Sequence, residues 1–566
     1  MKFSEMPYQR PDLDKIRQEL AACREGIISA KTFAEADEFF LRYDKAFRTV
    51  QTNLSIAYVR HTIDTADEFY TAEDDFANEA NPQLEEMSQS VMMALMQSPF
   101  KKEFADKYGE LLFKNIEIGL KAFSPEIVED MQEENKLASE YQKLIASAQI
   151  DFDGEKRTIS QMSPYKTSAD DSVREAAWKA EGQWYVDNGD KLDEIYDKLV
   201  KCRDRQAKKM GYPDYVTLGY YRMQRNCYDR DDVEKFRKAV VKHIVPLCSQ
   251  IVKDKADRLG FSYPLTFAEN ALDFRSGNPK PQVSADEILS HAKKFYHELS
   301  PETAQFIDFM YDNELLDVLS KKGKAAGGYC TDFFDYKAPF IFANFNDTAH
   351  DVEVMTHEAG HAFAFYTCKD IVPASSCTPT MESAEIHSTS MEFFAWNWVE
   401  GFFKQDSDKY RFYHLTSTLL IIPYIVLVDH FQHEMYLHPE FTPAQRHETW
   451  AKLLAVYMPW MKLDGSVFYG EGKGWQRQLH IYLYPFYYID YSFASTIALE
   501  FWAKDQKDHK DAWERYMRLV SKGGTQTFTE LVETAGLESP FDEQCLVEIA
   551  GAVKEWISKF DAEKLK

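Results

Sequence analysis

The sequence predicts a mainly α protein, large and two-lobed, with a small β-sheet. Three observations carry this reading. Helical spacing and helix caps recur from Pro11 to about residue 320, helical spacing returns at residues 352–366 and 381–394, and the tail from Ser492 to Lys566 reads as helices. No low-complexity or Pro/Gly/Ser-rich hinge splits the 566 residues into separate bodies. Only short runs, at residues 148–159 and 339–345, have the pattern of strands.

In chain order, Pro11 lies near a first helical turn, and Thr32 with Glu35 has capping-box spacing. Asn81-Pro82 and Ser98-Pro99 are expected to break or restart the helical pattern, and Ser124-Pro125-Glu126 to open the next helix. No chemistry shows in this region, and the run Glu73-Asp74-Asp75 reads as a solvated face. Asp153-Gly154 suits the positive φ values of a tight turn, which makes residues 148–159 a β-hairpin. Ser172 with Glu175 is expected to cap a new helix. The boundary is set just before it, giving an N-terminal helical lobe with a closing hairpin over residues 1–165 and a second region over residues 166–566. A long helix should end near Gly211, ahead of Pro213.

The Gly-rich residues 323–330 lack the frame of a phosphate loop, so the expectation is a loop, including Gly327 and Gly328, that lets backbone approach a substrate closely. Residues 339–345 follow as a short strand. As a sheet edge this strand, with Phe342 and Ala343, could accept an extended peptide by strand addition; plain core packing explains it equally well. Residues 464–475 hold four glycines and are expected to form a mobile loop.

Chemistry concentrates in Thr356-His357-Glu358-Ala359-Gly360-His361. On a helix, His357 and His361 fall one turn apart on one face, where two imidazoles can point at one metal ion. Glu358 beside them can hold a water at that ion without being a ligand, which is the arrangement metal-assisted hydrolysis needs. The helix is written locally: Asn346 or Asp347 as a cap, Thr348 followed by Asp351, and apolar residues at Val352, Met355, Ala359, Ala362, Phe363 and Tyr366. A catalytic zinc needs a third protein ligand. In the next helical stretch Glu385, Ser388 and Glu392 share a face, so Glu385 is the expected ligand, with Glu392 placed to hydrogen-bond a ligand imidazole; Glu382 and His387 are rivals. The pair His430 and Glu434 lacks this order and reads as structural.

Composition narrows the partners. A net charge of −26 argues against nucleic acid and anionic membranes. The N-terminus has no apolar signal region, and the longest apolar run, residues 419–428, is too short to span a bilayer. Eight cysteines without paired spacing fit a reducing cytoplasm and no disulfide framework. Cys330, Cys368 and Cys377 flank the motif in sequence and raise the expectation of oxidant sensitivity.

His-Glu-Ala-Gly-His, followed 24 residues after His361 by Glu385-x6-Glu392, resembles the M3 family of zinc metallopeptidases, and within it the oligoendopeptidase F branch. The Gly-rich segment, the strand at residues 339–345 and the aromatic block at residues 480–491 stand in the expected order. The resemblance implies a zincin-type helical fold with an enclosed substrate channel, one zinc per chain and short peptides as substrates. It also implies that His480 and Tyr491, with Tyr488 and Tyr484, supply donors to the oxyanion formed when water attacks a carbonyl. The implied activity is zinc-dependent endopeptidase action on short unstructured peptides. Two other readings share these residues: a peptide-binding or scaffold protein with a structural zinc, and a zinc hydrolase of another amide or ester.

Overall fold

The computed structural model describes residues 1–565 apart from Ala326, Asn346, Asp347 and Asp464. Helices are set by local capping before packing selects their faces. The Thr32 side chain accepts from Glu35 N while Glu35 Oε2 accepts from Thr32 N, both at 3.3 Å, and this box opens the helix Phe33–Ile63. Its apolar face meets the helices Leu13–Ser29 and Glu68–Gln97 through Leu20, Cys23, Ile27, Phe40, Val91 and Leu95, all buried. Each such side chain contributes about 1.5–3 kcal/mol on burial.

Two expectations fail here. Pro82 does not interrupt the helix, because Asn81, Pro82 and Gln83 all lie on its exposed face, where water can take the carbonyl that the missing N–H leaves free. Glu73 is not solvated either: it is buried, and the Arg10 guanidinium, donating from Nε at 2.8 Å, holds its carboxyl below the usual range.

The chain divides into two compact units, each assembled from separated segments. The first comprises Met1–Leu120, Lys280–Ser407 and Lys504–Leu537; the second Lys121–Pro279, Asp408–Ala503 and Glu538–Lys566. The point between residues 165 and 166 lies inside the second unit.

The first unit carries a three-stranded sheet. Its central strand, Ala338–Phe345, runs parallel to Leu316–Leu319 on one side and antiparallel to Tyr329–Phe333 on the other. Residues 316–319 had been expected to be helical, but four residues are too few to show a period, and parallel pairing to Ile341 and Phe342 makes them a strand. The strand at residues 339–345 is therefore not an edge. Phe342 and Ala343 are 0% and 1% exposed, and the Ala343 carbonyl accepts Lys324 Nζ at 2.5 Å, so neither can meet a substrate by strand addition. The edges belong to Leu316–Leu319 and to Tyr329–Phe333, the latter with Gly327 and Gly328 immediately before it.

In the second unit, Ile150–Phe152 pairs antiparallel with Glu155–Arg157 around Asp153 and Gly154, whose φ values are 53° and 75°. The next long helix starts at Asp171. Its cap is Asp170, not Ser172, because the Asp170 carboxylate accepts from both Ser172 N and Val173 N. One helical stretch, Glu400–Leu437, is long and apolar enough to cross a membrane by length and composition, yet 61% of its most apolar window is buried inside the protein. Around the expected mobile loop, Phe468, Tyr469 and Trp475 are buried and two short 3-10 turns form, Tyr469–Glu471 and Gly474–Arg477. Asp464 lies outside the described residues. Gly470 and Gly472 there allow close packing: a Cβ on Gly472 would stand 2.4 Å from the His447 carbonyl oxygen, and one on Gly470 2.7 Å from that of Leu463.

Candidate metal centre and catalytic groups

The motif lies on the helix Ala349–Cys368, capped at Thr348; the alternative caps Asn346 and Asp347 are outside the described residues. This helix packs directly on Met381–Phe394. The contact depends on Gly360, where an added Cβ would stand 2.7 Å from both the His387 carbonyl oxygen and Ser388 Cα. Close approach of the two backbones brings Glu385 under the two imidazoles.

Glu385 Oε2 lies 3.3 Å from His357 Nε2 and 3.5 Å from His361 Nε2. Ligands held about 2.0–2.1 Å from a tetrahedral ion are separated by about 3.3–3.4 Å, so the oxygen stands from each nitrogen as one zinc ligand stands from another, and all three atoms lie within 4.8 Å of one another. The His357 Nδ1–H donates to Glu392 Oε1 at 2.7 Å, which leaves the Nε2 lone pair facing Glu385 and the centre. Ser388 Oγ donates to Glu385 Oε2 at 3.2 Å. Burial alone would raise the Glu385 carboxyl, but the two imidazoles hold it well below the usual carboxylate range. Burial would likewise lower His357, and its two carboxylate partners raise it instead. Two half-buried imidazoles and a buried carboxylate have the donor chemistry for a divalent cation.

The rivals fall elsewhere. Glu382 accepts from Thr380 Oγ1 at 2.9 Å, and His387 is buried, its carbonyl bonded to the Tyr516 hydroxyl. His430 Nδ1 bonds the Tyr457 hydroxyl at 2.9 Å. Another grouping, Asp130, Glu133 and Cys202, already carries Lys209 and Arg205 on its carboxylates.

Glu358 is half-buried, and among the described residues it makes no hydrogen bond or ion pair. Its charge helps to raise the Cys330 thiol on the edge strand Tyr329–Phe333. Burial pushes the Cys330 thiol up, and it pushes Cys368 and Cys377 to about 12 and about 11. A thiol held in its protonated form is the less reactive one, so burial works against the expected oxidant sensitivity.

His480 and the tyrosines belong to the second unit. His480 sits on the short helix Leu479–Leu483, with the rings of Tyr488, Tyr487, Tyr491 and Tyr484 centred 4.6, 5.8, 6.2 and 6.3 Å away. Tyr482 is core. Tyr484 is half-exposed, whereas Tyr487, left among the core aromatics by the sequence, shares a 2.9 Å hydrogen bond with the Tyr491 hydroxyl. The turn that places them is pinned from below: Phe486, at φ 67°, has its carbonyl bound by Arg225 at 2.7 Å, and Arg225 also forms a buried ion pair with Asp490.

Two further residues escaped sequence reasoning. The Tyr424 hydroxyl donates to Gln478 Oε1 at 2.8 Å, and Gln478 Nε2 donates to His480 Nδ1 at 2.8 Å. With Nδ1 accepting, the proton of the neutral ring sits on Nε2, ready to be donated. Burial lowers the His480 pKa to about 4, so this neutral form holds across the physiological range. Gln478→Glu would set a carboxylate against Nδ1, which favours the imidazolium. The imidazole titration read by NMR should then move from about 4 up past the ordinary value of about 6.5. An unshifted titration would show that Gln478 does not govern this ring.

Comparison with known proteins bears on the whole chain. The Peptidase M3 N-terminal domain matches residues 3–123, and Peptidase family M3 matches residues 164–275 and 280–550. The solved structure of PZ peptidase A with an inhibitor is 43% identical, with a TM-score of 0.93 and full coverage of both chains. Oligoendopeptidase-F from Enterococcus faecium shares the fold at 17% identity, with a TM-score of 0.63 and 98% of each chain covered. Oligopeptidase PepF from Bacillus subtilis (strain 168) is 24% identical over 69% of this chain and 51% of its own length, so the chain spans about half of that curated relative. A match over most of the chain, joined to full-length structural likeness, means that the protein belongs to peptidase family M3, in its oligoendopeptidase F branch.

Proposed function

We propose that this protein is a cytoplasmic, zinc-dependent oligopeptidase that cuts internal bonds of short, unstructured peptides. The observation that carries the reading is the convergence of His357 Nε2, His361 Nε2 and Glu385 Oε2 at ligand spacing beside a Glu358 with no hydrogen-bond or ion-pair partner among the described residues. Those three side chains would hold zinc, which when bound would supply a Lewis acid for the scissile carbonyl and lower the pKa of water. Glu358 takes the proton of the attacking water and returns it to the leaving amine. Glu392 keeps His357 in the tautomer that presents Nε2. An extended peptide pairs by its main chain with the open edge of Tyr329–Phe333, entering past Gly327 and Gly328, which ties affinity loosely to sequence. The His480 Nε2–H and the hydroxyls of Tyr491 and Tyr488, with Tyr484 and Tyr487, serve as donors to the developing oxyanion, as in the family resemblance.

A ladder of unstructured peptides tests this. Zinc-loaded protein should make internal cuts that fade as the peptides lengthen, and protein stripped with a chelator should make none, read by mass spectrometry. Cleavage of folded proteins would remove the restriction to short peptides. No cleavage by loaded protein would move the weight to peptide binding or to another amide or ester.

A further inference from the structure

The second unit contains a cavity of about 320 Å³, at the lower end of ligand-sized clefts. Its walls are aromatic, with Trp178, Phe267, Tyr424, Trp450 and Tyr469 among them, and Arg477 stands in the lining. Ile421 is 38% exposed there, an apolar side chain left open rather than packed.

The charges at this cavity do not balance. The Arg477 guanidinium lies 5.7 Å from the Trp178 ring centre and 5.8 Å from that of Tyr469. Lys166 covers Trp178 as well, with Nζ 4.3 Å from its ring centre. The carboxylate near these two cations is Glu181, whose Oε1 accepts from Lys166 Nζ at 2.6 Å, so one carboxylate serves two cations. Arg477 donates from Nη1 to the Tyr469 hydroxyl at 2.8 Å, and among the described residues no carboxylate stands within ion-pair distance of it. The other cation of the lining, Lys255, is neutralised by Asp273 at 3.2 Å and bonded to the Asn270 carbonyl at 2.7 Å. In a chain of net charge −26 the cavity thus keeps one planar, exposed cation with donors to spare, set against rings. A guanidinium in this state matches a carboxylate through two parallel N–H···O bonds.

We propose that the cavity binds the C-terminal residue of a peptide, its free carboxylate on Arg477 and its apolar side chain among the aromatic rings. The assignment rests on the peptidase reading and sharpens it to a substrate class, peptides with a free, apolar C-terminus. The cavity also communicates with His480, because Tyr424, one of its walls, holds Gln478 and Gln478 holds the imidazole.

Peptide pairs identical except for a free or an amidated C-terminus test it, with full-length, zinc-loaded protein. The free acid should be cut with a kcat/KM about 10–100-fold above the amide, the difference lying in KM. Arg477→Met should bring the acid down to the amide. So should Ile421→Glu, which sets a repelling charge in the cavity at an already exposed position. Calorimetric Kd values for both peptides on the Glu358→Gln protein should show the same gap. Acid and amide bound and cut alike by the unaltered protein would overturn the assignment, as would a preference that follows an internal Glu. If neither peptide is cut, the peptidase reading falls, while the calorimetric comparison still decides the cavity.

Discussion

Glu358→Gln is expected to lower kcat/KM on a short peptide by about 10³-fold while the protein still binds one equivalent of zinc. Glutamine keeps the size and the hydrogen-bonding reach of glutamate but cannot accept a proton, so the variant isolates proton transfer. The structure supports a separation of roles: the ligand spacing involves Glu385 of the neighbouring helix, whereas Glu358 lies on the helix of the two histidines without a partner among the described residues. Steady-state kinetics beside metal analysis decides the matter. Turnover within tenfold of the parent would remove Glu358 as the base, and loss of zinc would show that it ligates.

The second large effect comes from a methyl group. Alanine in place of glycine inside a helix ordinarily stabilises by about 1 kcal/mol. At Gly360 the sign should reverse, because the new Cβ would stand 2.7 Å from two backbone atoms of the neighbouring helix, and backbone cannot swing aside as a side chain does. Separating Ala349–Cys368 from Met381–Phe394 should cost about 1–3 kcal/mol, seen as a lower Tm. The same shift draws Glu385 away from His357 and His361, so zinc affinity should fall by at least about 10–100-fold. Gly119→Ala is the control, since nothing lies within 4 Å of its added Cβ, and it should be neutral or stabilising. A Gly360→Ala protein as stable as the parent, with unchanged zinc affinity, would show that the two helices tolerate separation.

What was legible in the sequence was local. Spacing of four put His357 and His361 on one helix face, spacing of seven put Glu385 and Glu392 on one face of the next, and a three-residue interval gave the Thr32 box. Asp153-Gly154 specified its hairpin for the same reason, since a tight turn is decided by the φ angles of its own two residues. Family resemblance added His480 and its tyrosines, which no spacing rule would have singled out from 32 tyrosines.

Tertiary structure decided whatever depends on a partner distant in the chain. Residues 339–345 read alike as an edge or a central strand until both neighbours, Leu316–Leu319 and Tyr329–Phe333, are in place. Pro82 kept its helix because that face met water, and Glu73 went inside because Arg10 arrived to pair with it. Gln478 is oriented toward His480 through Tyr424, 54 residues away from it, and Arg477 is left without a carboxylate at ion-pair distance among the described residues while Glu181 pairs with Lys166. By itself the sequence determined the helices and the metal-binding pattern, because covalent neighbours set those geometries. Which strand is buried, how closely two helices approach and which charge is left without a counterion were decided by packing, since those energies exist only once remote segments meet.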